Sequence, residues 1–511
     1  MAVDKVAGMA RIAVIGAGMG AMAAAARLAV AGHRVAVYER TETYGGAVRR
    51  FERDGFGFDT GPGLLTLPAV YRDLFVKTGK EPLEDVVELV QVDPAARHVF
   101  ADGTEVSLPN ASRAGVVAAL DEALGSGAGE RWGDFLVRAR EAWDRTRRPL
   151  LEEPLWPNWQ VLAEQEPYPS VPHKRLLRTR RAGTPAEIGA WELRDERLAA
   201  LLESHVLGYG LDPRTAPASA AVLPYMEHAF GTWYVHGGIR ELARAVYERC
   251  VQRRVEFSFG AEVTGIVAKD GRAVGVELAD GTVAEADHVV ADVAPARLRA
   301  LTEFPLDEDG DVRPDPVSPP PGRFTALLAL RGGCEDRAAH RTVVHAPDSQ
   351  TELDFLVSPG GDEPVCPTVT VLRPDDPALR PDDAHESVVV SAVVSTEAAW
   401  EDAGTVRRYT DFLLEAAGSA VPGLRERLLW HEVRTPEHTE NETGAGFGAV
   451  PAPALAAGGG RFLHPANTTR LPGLYRVGGW SHPGGGLPHA GMSGALVAGL
   501  IVEGPDFRGS Q

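Results

Sequence analysis

Near the head of the chain an apolar run at 12–15, too short for a helix and rich in β-branched residues, predicts a buried strand. It breaks into Gly16-Ala17-Gly18-Met19-Gly20-Ala21. Alanine-rich, helix-favouring sequence follows over 19–31 and stops at Gly32, and a second β-branched run at 34–38 ends on Glu39. Helical periodicity returns at 70–78 and 113–145, and apolar runs on either side of Asp102-Gly103 predict a hairpin at 97–108. After Gly237-Gly238, the positions Ile239, Leu242, Ala243, Val246 and Tyr247 repeat at helical spacing. A strand is predicted at 255–260. Turns at Asp270-Gly271 and Asp280-Gly281 then separate alternating runs, which predicts a three-stranded antiparallel meander and a further strand at 288–291. Beyond a proline-rich linker at 314–322, the runs FTALLALRG, TVTVLR and SVVVSAVVS and a helix near 405–419 predict a mostly antiparallel sheet with helices against it. A last strand at 474–477 runs into Gly478-Gly479, ahead of a helix predicted to start near Gly491.

The opening pattern of strand, glycine turn, helix, strand and terminal carboxylate is the layout of a dinucleotide-binding βαβ unit. Gly16 permits the tight turn, and Gly18 lets backbone amides approach a pyrophosphate with no Cβ in the way. The helix start offers unpaired N–H groups and a positive dipole end to the phosphates. Glu39 stands where a carboxylate accepts both ribose hydroxyls, and Ala21 fills the third glycine position. A second glycine pair, Gly45-Gly46, and the turn Asp59-Thr60-Gly61-Pro62-Gly63 follow. A nicotinamide-binding domain has no need of that second pair, whereas extended FAD must pass close to backbone again.

Composition narrows the choice. At 511 residues, two domains are expected, and 44% hydrophobic with 24% charged residues is ordinary for a globular protein. A net charge of −19 argues against a nucleic-acid partner. Cys250, Cys334 and Cys366 are odd in number, far apart and lack metal spacing, so neither disulfide nor metal site is expected and a cytoplasmic setting fits best. The N-terminus reads as no signal peptide, and no membrane-spanning segment is expected. The run from His173 to Arg181 is the strongest basic cluster. As a solvated face it needs no partner; with Trp156 and Trp159 nearby it also suits anionic lipid headgroups.

On these residues the chain resembles the FAD-dependent amine-oxidase and phytoene-desaturase superfamily, in which the glycine pair and the Gly-Pro turn line the flavin. The tail resembles bacterial phytoene and other carotenoid desaturases. It carries a strand ending in glycines and then Ser481-His482-Pro483-Gly484-Gly485-Gly486-Leu487-Pro488. The block from Asp212-Pro213 through Gly231-Thr232-Trp233-Tyr234 to the Asp-Gly meander matches in order and spacing. The likeness covers 11–70, 205–300 and 465–502. It departs where Ala47 and Val48, rather than arginine, follow the glycine pair, with Arg49 and Arg50 next, and where Trp480 and His489 replace small residues.

The resemblance implies an α/β fold. A discontinuous Rossmann-like FAD-binding domain (10–70, 235–300, 465–505; parallel sheet plus β-meander) is expected beside a discontinuous α+β substrate domain (71–234, 301–464). The second includes a candidate membrane-contact region near 149–184. The implied cofactor is FAD, contacted by Gly16, Ala17, Gly18, Met19, Gly20, Glu39, Arg40, Gly45, Gly46, Ala47, Gly61, Pro62, Gly63, Val263, Gly478, Gly479, Gly491 and Met492. Amides at the start of the last helix would face the negative charge of reduced flavin. The implied reaction is dehydrogenation of a long apolar isoprenoid by hydride transfer to flavin N5, with quinone or oxygen as acceptor, at the inner face of the cell membrane. For a proton acceptor His482 comes first, with a structural histidine as the alternative, and then Glu227 with His228. Asp59 reads better as a backbone-bonding turn acid than as a base. Other FAD chemistry on a terpenoid, polyene or amine (oxidation, saturation, isomerisation) stays open, as does a flavin-bound escort without turnover.

Overall fold

The computed structural model describes residues 9–157, 159–173, 178–307, 320–335, 338–357 and 365–509. The expected linker at 314–322 lies mostly outside these residues, as do positions 174–177 of the basic run.

A five-stranded, all-parallel sheet carries the glycine turns. Its order is Glu256–Phe259, Arg34–Glu39, Arg11–Ile15, His288–Ala291, Leu474–Arg476. The chain leaves the opening strand to one side and returns on the other, so that strand sits at the topological switch point, where open α/β sheets bind ligands. Register decides what meets there. Ile15 pairs with Ala291 and Ala291 with Arg476, so Gly16, Asp292 and Val477-Gly478 emerge together at the carboxyl edge.

The first helix, Met19–Val30, is buried on nearly every side, which explains its alanines. It packs against the last helix, Leu487–Glu503, at van der Waals limit: a Cβ on Gly494 would lie 2.6 Å from the Gly20 carbonyl oxygen and 2.8 Å from Ala23 Cβ. Helix Arg240–Gln252 covers the other flank through Leu242, Ala243 and Val246. Asp59 accepts from the Ile239 and Arg240 amides (2.8 and 3.2 Å), capping that helix. It is thus a backbone-bonding acid, and burial raises its carboxyl to about 6.

The meander Val263–Lys269, Arg272–Leu278, Val283–Glu285 forms its own antiparallel sheet, and the hairpin Ala96–Val99/Glu105–Leu108 forms around Asp102-Gly103. That hairpin joins a seven-stranded sheet built around Gly322–Arg331 and His385–Val394 and antiparallel in all but one pairing. Both faces of Gly322–Arg331 are covered. Phe324, Ala326, Leu328 and Leu330 meet Tyr409 and Leu413 of helix Ala403–Ala417, while Leu327 and Ala329 meet Phe56 and Phe58. Asp376 ties this sheet to the aromatic step, accepting from the Tyr234 hydroxyl and the Gly237 amide, both at 2.6 Å.

The helical run expected over 113–145 is two helices, Arg113–Leu124 and Ala128–Arg147. Gly125 (φ 98°) and Gly127 (φ 86°) hold backbone that L side chains rarely adopt, and the axis breaks there. With helices Glu196–Leu207 and Val222–Phe230 these enclose a second apolar core around Trp132, Phe135, Leu201 and Met226. Among the described residues no helix is long and apolar enough to cross a membrane.

Candidate functional site

At the switch point the glycines leave a cradle that side chains would fill. A Cβ on Gly18 would lie 2.3 Å from Asp292 Oδ2, and one on Gly478 would lie 1.9 Å from Asp292 Oδ1. A Cβ on Gly20 would lie 2.7 Å from Gly478 Cα. The turns near the head and the tail of the chain therefore touch. Gly16 (φ 90°) donates to the Tyr38 carbonyl at 2.8 Å, and Ala17 donates to Glu39 Oε2 at 2.9 Å. Glu39 Oε1 accepts from the Thr41 amide and hydroxyl, both at 2.8 Å. Oε2 keeps a further lone pair to offer a ribose hydroxyl. The Gly18 and Met19 amides open the first helix beside this acid.

The second glycine pair packs on the first turn. Gly45 donates to the Ala17 carbonyl at 2.8 Å, and a Cβ on Gly46 would lie 3.1 Å from Gly18 Cα. Gly61 lies against Ala47, whose carbonyl oxygen would be 2.1 Å from a Cβ there; Gly63 lies against Leu372, and Pro62 is exposed. Arg49 is committed to the Gly46 and Glu442 carbonyls (2.9 and 3.1 Å), and Arg40 donates to the Asn441 carbonyl at 2.6 Å. Both hold the end of helix Pro436–Thr443, and Arg49 ties that helix end to the second glycine pair through the Gly46 carbonyl. Val263 begins the meander opposite Leu278.

On the tail side a buried polar knot shapes the Gly478–Gly486 loop. Ser493 Oγ accepts from the Gly478 amide at 3.1 Å, while Asn467 Nδ2 donates to Ser493 Oγ (3.1 Å) and to the His482 carbonyl (2.8 Å). Gly479 and Gly485 pass so close to Pro451 that no side chain fits on either. Neither Asn467 nor Ser493 was legible as a site residue, because each is defined by partners far along the chain.

Two expectations are corrected here, the start of the last helix and the basicity of Glu227. The last helix starts at Leu487, with Pro488 in its first turn, so Gly491 and Met492 lie past the free amides. Gly491 is small because Val70 and Tyr71 press on it, and the buried Tyr71 hydroxyl donates to the Leu487 carbonyl at 2.8 Å; Met492 packs on the helical core. His482 is fully buried, and its Nε2 donates to the Glu153 carbonyl at 2.9 Å, which fixes its tautomer with the basic lone pair on Nδ1. Glu227 is gripped by both terminal nitrogens of Arg341, with His205 Nε2 at 3.9 Å. Burial pushes its carboxyl up, but Arg341 and His205 outweigh that and hold it near 2, far too weak a base to accept a proton at neutral pH. His228, its neighbour, is lowered by burial.

The chain matches the flavin containing amine oxidoreductase family over residues 22–502. It belongs to that family. A hydroxyneurosporene desaturase of Cereibacter sphaeroides is 30% identical, over 96% of this chain and 97% of that protein. A 4,4'-diapolycopene oxygenase of Methylomonas sp is 29% identical, over 96% and 98%. Among solved structures, an oxidoreductase from Methanosarcina mazei shares the fold (TM-score 0.64, 18% identity, 95% of this chain and 99% of that one). The protein is thus an FAD-dependent oxidoreductase of α/β fold, and the cradle fits its cofactor, because glycines keep both turns bare where they meet and Asp292 is the side chain between them.

Proposed function

We propose that the protein desaturates a long apolar polyene of the carotenoid class. The observation that supports this most directly is the near end-to-end similarity to a hydroxyneurosporene desaturase. FAD, when bound, supplies a two-electron acceptor for hydride. The chain's part is to hold that cofactor and to keep the reacting carbon dry. Gly16–Gly20 and the start of the first helix would hold the pyrophosphate, and Glu39 would hold the adenosine ribose. The free amides at the start of the last helix, from Leu487, would stabilise negative charge on the reduced cofactor. A hydrocarbon offers no polar handle, so apolar side chains would have to grip it.

One observation favours a second reading within the same class, oxidation that leaves oxygen on the polyene. His489, in the first turn of the last helix, is buried and kept neutral by burial, near 4, and its Nδ1 has no hydrogen-bond partner among the described residues. A polar end group would satisfy it. A quinone or oxygen as terminal acceptor belongs to this proposal, as does membrane contact through the hairpin Val171–His173/Arg178–Arg180. Expression in cells that accumulate phytoene, followed by pigment extraction and mass analysis, tests both readings. Loss of hydrogen pairs is the expected result, a gain of oxygen selects the second reading, and an unchanged phytoene pool rejects phytoene as the substrate. Glu39→Ala removes the ribose acceptor and should weaken FAD binding about tenfold to a hundredfold, ~1.5–3 kcal/mol, read by fluorescence titration.

A further inference from the structure

Asp292 stands inside the cofactor cradle, at the end of the strand next to Arg11–Ile15. Its carboxyl is wedged between Gly18 and Gly478, and its Oδ2 accepts from the Ala21 amide at 3.3 Å. That amide belongs to the first turn of the first helix, the group an anionic phosphate needs. The carboxylate and a pyrophosphate therefore compete for one small volume of positive potential. Gly16, Gly18 and Ala21 on one side and Gly478 on the other bring no charge. The charged group that acts on Asp292 is Glu39, another acid. Burial pushes its carboxyl up to about 7, against the Ala21 hydrogen bond, and Glu39 adds to the rise.

We infer that Asp292 binds FAD as a neutral carboxylic acid, donating its proton to a phosphate oxygen, so that FAD binding takes up a proton. Like charges in contact cannot both stay ionised in a partly buried cleft, and the protonated form turns a repulsive acceptor into a donor. An acid whose proton affinity rises on binding makes the affinity for FAD constant in mild acid. Affinity then falls as pH rises through the free protein's titration, by at most tenfold per pH unit.

This rests on the placement of the pyrophosphate over the first helix. The test is titration of the full-length protein, stripped of its cofactor, with FAD from pH 6 to 9, beside Asp292→Asn, which donates at every pH. The wild type is expected to lose about tenfold or more in affinity between pH 7 and 9, while the Asn variant stays flat and binds more tightly than wild type at pH 9. Calorimetry of the wild type at pH 8, in two buffers of different ionisation enthalpy, should show net proton uptake, and it does not depend on the variant folding. Flat wild-type affinity, parallel curves for the two proteins, or no proton uptake would overturn the role of Asp292 while leaving the FAD site intact. Failure of FAD to bind at any pH would overturn the placement as well.

Discussion

Valine at Gly494 will strip the protein of flavin and lower its stability by about 3 kcal/mol or more. A Cβ there falls 2.6 Å from the Gly20 carbonyl oxygen and 2.8 Å from the Ala24 amide nitrogen. Both are backbone, so no rotamer change relieves the contact, and the two helices must separate. Gly20 opens the first helix, and its own Cα faces Gly478. Separation therefore opens the cradle itself, turning a packing fault into loss of cofactor. Gly446→Ala is the control, because among the described residues nothing lies within 4 Å of its Cβ position and its φ is ordinary. Flavin absorbance per protein after gel filtration and the thermal midpoint should both drop for Gly494→Val and stay put for Gly446→Ala. Full flavin content and an unchanged midpoint in Gly494→Val would show that the helix contact is not what holds the cradle closed.

What the sequence showed and what it hid follow from the range of each interaction. The opening strand, glycine turn, helix and second strand were legible because hydrophobic period and turn chemistry are local, and Glu39 could be found by counting from the glycines. The meander announced itself through two Asp-Gly turns. Asp292 was not legible, since its place depends on the register of strands more than 270 residues apart in sequence. The available signal was a lone carboxylate ending an apolar strand due to join the parallel sheet. The start of the last helix was misplaced because Gly491 looks like a boundary. Pro488 was the better marker, as proline is tolerated in a first turn, while Gly491 answers to the bulk of Tyr71. The break at Gly125 and Gly127 shows the converse, two local glycines overruling a helical periodicity that continues past them.

Glu227 was hidden in the same way, because its chemistry is decided by Arg341, 114 residues on, and the pair yields the second large effect. Arg341→Met should cost about 3–5 kcal/mol, since it leaves a buried carboxylate unpaired. Both side chains are mostly buried, with 16% and 14% of their surface exposed. The double variant Arg341→Met, Glu227→Leu should recover most of the loss, because an apolar pair leaves neither charge stranded. The pH dependence separates this account from simple loss of packing. In the wild type the carboxyl sits near 2, below its unfolded value of 4.5, so its contribution is complete above the unfolded value and disappears as pH falls through about 2. Without Arg341, burial is the dominant influence and raises the carboxyl instead, so the variant should gain stability as pH falls from 7 toward 5. Denaturant midpoints for wild type, single and double variants at pH 7 and pH 5 measure both effects. Equal losses at the two pH values, with no rescue in the double variant, would assign Arg341 to packing alone.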